Sequence, residues 1–576
     1  MVKKIFKKQN TTFLVVITLL TYFLWEIDGK YGFNPSDEAR VLGMVQRIFN
    51  GEVPHKDFMY QTLVGSAYLH FFHYFIPAFN LQFQRIVVIL MFQIYSLALL
   101  NLSDKFKDLN LPTRVLIFSV STILNMHYFE FTIWPTVDGI FVLAIGSYFI
   151  FKSKKYTNLG FLLIGLAPLM KTPFLFSTIF IVIFTTTIIN KFTLINFLKK
   201  GLISAIPSNL YLLYIYLNGG FSNFLEETLN QPSNSFELVN SWIHHLGFYE
   251  KTLIPVSFVL VLIFTFKPNN RKVYLYLNLA SFVIIGTLIN SMDFASMTYK
   301  PIINLLNLFF VFIFFVKFYK KKFPDTFIPF FVCYVIEFAA IMSIGWRWGL
   351  FVSGTVLALI FITLYESGLY NDMIRFTVLK KFNVNLISFV YFILILFSFA
   401  IPVQNLLSFK SDYIYLDKPK EELNYNLNNL NTRYGNVYTS DTVYKYLESI
   451  QFCLDKYNSK KVSIFPDNPA LYFIYDLKNP IPVDWYTAGV EGKVEYDDVR
   501  IKEKMKNESY KNSFVFLQSY KVSRLMKLDI NEINSLKVDP FPEYVQGFYE
   551  NIYDYLKDRE FTTVDYCQSF TVLVNK

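Results

Sequence analysis

Thr12-Phe-Leu-Val-Val-Ile-Thr-Leu-Leu-Thr-Tyr-Phe-Leu-Trp25 carries no charge, and Lys3, Lys4, Lys7 and Lys8 stand before it. A basic start followed by an apolar run is shared by signal peptides and first membrane spans. No small-residue cleavage site follows here; the next residues are Glu26, Ile27 and Asp28. The segment therefore reads as a retained first helix. Working outward, the same apolar character recurs along the chain: 53% of its 576 residues are hydrophobic, 19% aromatic and only 17% charged. Soluble globules carry about 25% charged residues, so most of this chain faces something other than water.

A spanning helix needs about 20 mostly apolar residues. Runs of that kind fall near 12–26, 82–101, 113–129, 137–151, 157–170, 172–190, 201–217, 253–266, 273–290, 301–316, 326–343, 350–366 and 384–402. About thirteen spans follow, and an odd number sets the two termini on opposite sides. Basic clusters test the count. Lys3 to Lys8, Lys105 with Lys107, Lys152 to Lys155, Lys191 to Lys200, Lys267 to Lys272, Lys317 to Lys322 and Arg375 to Lys381 all fall on one face, which the positive-inside rule makes cytoplasmic. The net charge of +10 is thus a topology signal and not a nucleic-acid one. A multi-pass protein of the cytoplasmic (inner) membrane is expected, with its N-terminus in the cytoplasm and residues 405–576 outside.

Residues 405–576 change character. They are rich in Lys, Asp, Asn and Tyr, with strand-like runs at Val462–Phe465, Ser513–Gln518 and Phe570–Val574. Ser440-Asp441 followed by Val443, Leu447, Ile450 and Leu454 marks a helix. A soluble α/β domain is expected after a membrane module of residues 1–404. Cys453 and Cys567 share that domain, where an oxidising compartment permits a disulfide; two free thiols are the alternative. Cys333 lies in an apolar run and reads as a core residue.

The first loop, 27–81, carries the chemistry. It holds Asn34-Pro35-Ser36-Asp37-Glu38-Ala39-Arg40, with Ser36 suited to cap a helix and Val41, Val45, Ile48 and Phe49 at helical spacing. The spacing predicts a short amphipathic helix on the outer membrane surface, with Asp37 and Glu38 in its first turn, where the helix dipole favours negative charge. Gly51-Glu52-Val53-Pro54-His55-Lys56-Asp57-Phe58 follows, then a second amphipathic stretch from Thr62 to Ile76 containing His70 and His73.

This arrangement resembles the first external loop of GT-C glycosyltransferases, in the branch of the protein O-mannosyltransferases and the lipid A aminoarabinose transferases. That family's pattern is Asp-Glu, a short helix, then a Gly-Glu-x-Pro-Tyr-x-Asp-Phe-like segment; His55 stands where Tyr is common. Trp134-Pro135-Thr136-Val137-Asp138-Gly139 resembles the family's acidic start of the fourth span, and Leu169-Met170-Lys171-Thr172-Pro173 its Leu-Thr-Lys-Gly-Pro turn. An acid entering a membrane is costly and marks function, although Asp138 also suits an interfacial cap.

The resemblance implies transfer of a sugar from a polyprenyl-phosphate donor to a lipid, glycan or protein acceptor on the outer face. Asp37 would be the general base, with Glu38 and Asp138 as further catalytic acids. Arg40, Lys171 and Arg347 are the choices for the lipid phosphate, and His55 and Asp57 of the same loop join them as substrate-binding residues. Lys171 equally suits a helix-end anchor, and Arg347, in Gly345-Trp346-Arg347-Trp348-Gly349, an aromatic belt. Asp37 and Asp138 offer the oxygen ligands of a hard divalent cation, but nothing else in the sequence demands a metal. The competing classes are a transporter or flippase of lipid-linked sugars, expected to show two similar halves and broken helices, and a membrane scaffold. No such half-repeat is visible in the sequence.

Overall fold

The computed structural model describes residues 2–36, 38–60, 63–76, 79–126, 131–189, 192–229, 323–344, 351–367, 400, 403–404, 406–412, 414–415, 417–465, 468–484, 510–518, 556 and 558–575. The expected spans at 253–266, 273–290 and 301–316, and 384–402 but for residue 400, lie outside these.

The described chain is mostly helical. α1 (Val2–Leu24) runs on through a π turn, Trp25–Gly29, into the first loop. Within that loop are α2 (Arg40–Phe49) and α3 (Gly65–His70), the latter extended by a 3₁₀ turn, Phe71–Phe75. α4 (Leu81–Leu100) starts where the Asn80 side chain accepts the Phe83 amide, satisfying one of the orphan donors of a helix start. Then come α5 (Asp104–Asp108), α6 (Leu111–Leu124), α7 (Pro135–Lys152), α8 (Thr157–Met170), α9 (Phe174–Phe184), α10 (Leu194–Leu217), α11 (Phe221–Leu229), α12 (Phe327–Ile344) and α13 (Ser353–Ser367).

Among the described residues three helical stretches, Thr11–Gly29, Leu81–Leu100 and Pro135–Lys152, are long and apolar enough to cross a membrane, and five shorter apolar helices accompany them. Their outer faces, like their buried core, are apolar, unlike those of a soluble bundle. Leu14 and Leu19 on α1 and Leu202, Leu210 and Leu217 on α10 are all more than half exposed, while hydroxyls and amides bond inside: Asn125 Nδ2 donates to Ser96 and Thr355, Gln93 to Thr21, and Thr136 pairs with Ser343. A greasy outer face around bonded polar groups suits lipid. α7 and α8 approach so closely that a Cβ on Gly160 would lie 2.6 Å from the Gly146 carbonyl oxygen, the close backbone contact that small residues permit.

The C-terminal part is a small α/β unit. Its main sheet has the order β3 (Val462–Phe465), β4 (Ser513–Gln518), β6 (Phe570–Asn575), β5 (Phe561–Cys567), with β3 and β4 parallel and the others antiparallel. β1 (Tyr425–Asn426) pairs with β2 (Tyr438–Thr439). α14 (Asp441–Tyr457) is capped by Ser440, as the sequence predicts, and buries Val443, Leu447, Ile450 and Leu454. α15 (Pro469–Ile474) follows β3.

Of the two alternatives for Cys453 and Cys567, the structure has the disulfide, tying α14 to the end of β5 across 114 residues of sequence. Closing a loop of that length restricts the unfolded chain by an amount worth about 4–5 kcal/mol. Reducing the protein, or making Cys567→Ser, is therefore expected to lower the thermal midpoint of this domain and to expose it to limited proteolysis; an unchanged midpoint would refute a stabilising role. Cys333 is buried in α12, as a core residue should be.

Candidate functional site

The first loop is gripped from both sides. Asp28, in the π turn, pairs with Lys410 at 3.1 Å, both buried. The Gly32 amide donates to the Tyr438 carbonyl at 2.8 Å and the Tyr438 amide to the Lys30 carbonyl at 2.7 Å, so the loop joins β2 through a single parallel bridge at Tyr31. Asp417 accepts from the Phe33 amide and from Thr439 Oγ1. Burial pushes the Asp417 carboxyl up, against the lowering effect of these hydrogen bonds.

The acidic motif sits differently from its expected place. Ser36 does not cap a helix: its amide donates to Asn34 Oδ1, and α2 begins only at Arg40, after Ala39 in the left-handed region at φ 55°. Glu38 thus precedes the helix instead of lying in its first turn. The reason is tertiary. Glu38 is fully buried and takes a two-pronged hydrogen bond from Arg85 on α4, Nε and Nη2 both at 2.6 Å. Arg85 also donates to the Gly29, Gly32 and Tyr31 carbonyls, at 2.8, 2.7 and 3.3 Å. A bidentate, desolvated pair of this kind outweighs a helix-dipole effect of about 1 kcal/mol. Asp37 lies outside the described residues.

Nor is α2 laid on a membrane surface. Val41 through Arg47 are buried, because the helix packs against α15 of the C-terminal domain. Gln46 Nε2 donates to Asp476 and to the Leu477 carbonyl. Arg47 bonds both oxygens of Asp484, Glu52 and the Ile481 carbonyl; burial works against its charge, but Asp484 and Glu52 outweigh that and push its pKa up. Arg40 stacks its guanidinium over the Tyr60 ring at 4.7 Å.

His55 and Asp57 are both occupied. His55 takes φ 65°, Nδ1 contacts the Glu227 carboxylate on α11, and Nε2 meets Tyr211 Oη on α10 at 2.7 Å. A carboxylate on Nδ1 fixes the tautomer with the proton there, so Nε2 accepts from the tyrosine. Asp57 Oδ2 accepts the Val53 amide at 2.6 Å and closes its own turn. Lys171 ends α8 in extended conformation, and its carbonyl accepts the Phe174 amide that opens α9. Arg347 lies outside the described residues.

Asp138, in the first turn of α7, is fully buried, and its Oδ1 meets His70 Nε2 at 3.0 Å. The ring of His73 stands 4.9 Å from that of His70 and stacks on Phe79. Burial, helped by His70, pulls the His73 pKa down to about 3. The two carboxylate pairs occupy one end of the bundle: Gln84, next to Arg85, donates to Thr132, six residues before Asp138. Among the described residues no three His, Cys, Asp or Glu side chains gather as a metal site.

The depressed His73 pKa has a direct consequence. A histidine normally titrates near 6.5, so its neutral folded form is fully stabilising above that pH and loses its contribution as pH falls toward 3. Bringing the protein from pH 7 to pH 5 is expected to cost about 2 kcal/mol through this residue, and His73→Phe, which keeps the aromatic stack, should flatten that part of the stability-pH curve. An identical curve for the variant would show that His73 does not carry the acid sensitivity.

Sequence reasoning passed over Arg85, Glu227, Asp484 and Lys410. Only Arg85 left a usable signal, a lone charge inside the apolar run 82–101. Comparison with known proteins adds no assignment: no family model, no curated protein and no solved structure matches the chain.

Proposed function

We propose that the chain is a multi-pass glycosyltransferase of GT-C type, which moves a sugar from a polyprenyl-phosphate carrier to a lipid, glycan or protein acceptor on the outer face of the cytoplasmic membrane. The observation that carries this reading is Asp138, a fully buried carboxylate in the first turn of a membrane-length helix, held by a histidine from the first loop. Buried acids at such a position are expensive and mark function. The GT-C-like motifs of that loop supply the rest, together with the thirteen-span topology in which loop 27–81 and residues 405–576 face outward.

In this reading Asp37 takes the proton of the acceptor hydroxyl as its oxygen attacks the anomeric carbon. The anomeric carbon–oxygen bond to phosphate breaks, and the polyprenyl phosphate leaves with the electron pair. Attack from the face opposite the leaving group inverts the anomeric centre. Arg40, Lys171 and Arg347 are the cations available to the departing phosphate. Asp37 and Asp138 are the residues that would hold a divalent cation, and no step above depends on one.

A second reading, transport of lipid-linked sugars without cleavage, draws on Glu337. It is buried in α12, and among the described residues no group bonds either carboxylate oxygen; intramembrane carboxyls of this kind line pathways in transporters. The purified protein in nanodiscs, given polyprenyl-phosphate hexoses and a membrane extract as acceptor source, separates the two. A transferase releases free polyprenyl phosphate. Transbilayer movement in liposomes with the carrier still loaded would favour the transporter instead.

A further inference from the structure

Asp138 and His70 belong to elements that are pressed into place. A Cβ on Gly139 would lie 2.4 Å from the Phe174 ring, and one on Gly65, at the start of α3, 2.5 Å from the Leu169 backbone; both elements approach their neighbours more closely than a larger residue would allow. There His70 Nε2 meets Asp138 Oδ1 at 3.0 Å. A carboxylate can only accept, so the proton of this bond belongs to Nε2, and in the neutral imidazole His70 Nδ1 is left as an acceptor. Among the described residues no group donates to that Nδ1 or to Asp138 Oδ2. The pair therefore ends in two bare acceptors, both buried. Bare buried acceptors cost free energy unless something donates to them, and they repel a phosphate, which also accepts. Sugar hydroxyls donate.

We propose that His70 is a positioning residue for Asp138, and that the pair presents a two-acceptor edge which recognises hydroxyl groups of the transferred sugar. The proposal rests on the transferase reading above and names the part of the substrate that this end of the bundle takes. His70 holds Oδ1 and thereby decides which carboxylate oxygen faces the ligand. The ammonium of an amino sugar offers the same donors, so an amino-hexose belongs in the test.

The test uses the full-length protein in nanodiscs with synthetic polyprenyl-phosphate glucose, mannose, galactose and glucosamine, and mono-deoxy analogues of each. For whichever parent donor wild type uses, one deoxy analogue is expected to lose about tenfold or more in kcat/KM, the worth of one well-made hydrogen bond. His70→Ala and Asp138→Asn should raise KM and treat parent and analogue alike. His70→Gln, whose amide can still donate to Oδ1, should keep most of the discrimination. If glucosamine is preferred and its deoxy analogues are tolerated, the edge binds an ammonium; the hydroxyl assignment is then overturned. Discrimination by His70→Ala equal to wild type overturns the edge altogether. A substrate-free readout stands beside these: the thermal-midpoint losses of His70→Ala and Asp138→Ala should not add in the double variant, because each single change removes the same bond. Additive losses sink the positioning role. Wild type that uses none of the donors while the losses remain non-additive sinks the transferase reading and the sugar edge with it, and leaves the His70–Asp138 coupling standing.

Discussion

Replacing Asp37 by asparagine is expected to lower sugar transfer about 10²–10⁴-fold, the usual contribution of a positioned general base, with no loss of folded protein. Asparagine keeps the size and much of the hydrogen bonding of aspartate but cannot take a proton. The chain on either side is held by other contacts, Ser36 through Asn34 and Glu38 through Arg85. Transfer from a polyprenyl-phosphate donor, read alongside the thermal midpoint, checks this. Glu38→Gln is expected to act through the Arg85 pair and so to move stability together with activity. A stable Asp37→Asn variant with full activity would remove Asp37 as the base, and the transporter reading would gain most.

Arg85→Leu is expected to be the most destabilising single change in the loop region. It strands a fully buried Glu38 carboxylate and unbonds the Gly29 and Gly32 carbonyls. Removing one member of a buried ion pair costs about 3–5 kcal/mol, a large fraction of the stability of most domains. The double variant Arg85→Leu with Glu38→Leu should recover part of that loss, since it removes the stranded charge, but not all of it, because the two carbonyls stay unpaired. Thermal unfolding in detergent measures both. A single Arg85→Leu variant as stable as wild type would show that Glu38 finds another partner, and the account of why Glu38 precedes α2 would then fail.

The C-terminal domain enters both arguments. Through Arg47 with Asp484, Gln46 with Asp476, and Tyr438 with the loop backbone, it holds the segment that carries Asp37 and Glu38. The domain thus braces the first loop, a role that its own sequence does not disclose.

The amino-acid sequence alone was enough for whatever depends on neighbouring residues. Apolar run length placed α1, α4, α7 and α8, because a helix in lipid satisfies its backbone internally whatever surrounds it. Alternating and capped patterns placed β3, β4 and α14, whose ends are set by local bonds such as Ser440 to the Val443 amide. Tertiary structure decided the rest. The dipole and capping signals around Ser36 and Glu38 are local, and they lost to an arginine 47 residues away. His55, read as a ligand-facing residue, is claimed at both nitrogens by side chains 172 and 156 residues distant. Arg47 finds Asp484 across 437 residues. A buried charge takes the partner that desolvates with it, and that choice depends on which surfaces meet when the chain folds, which no local spacing records.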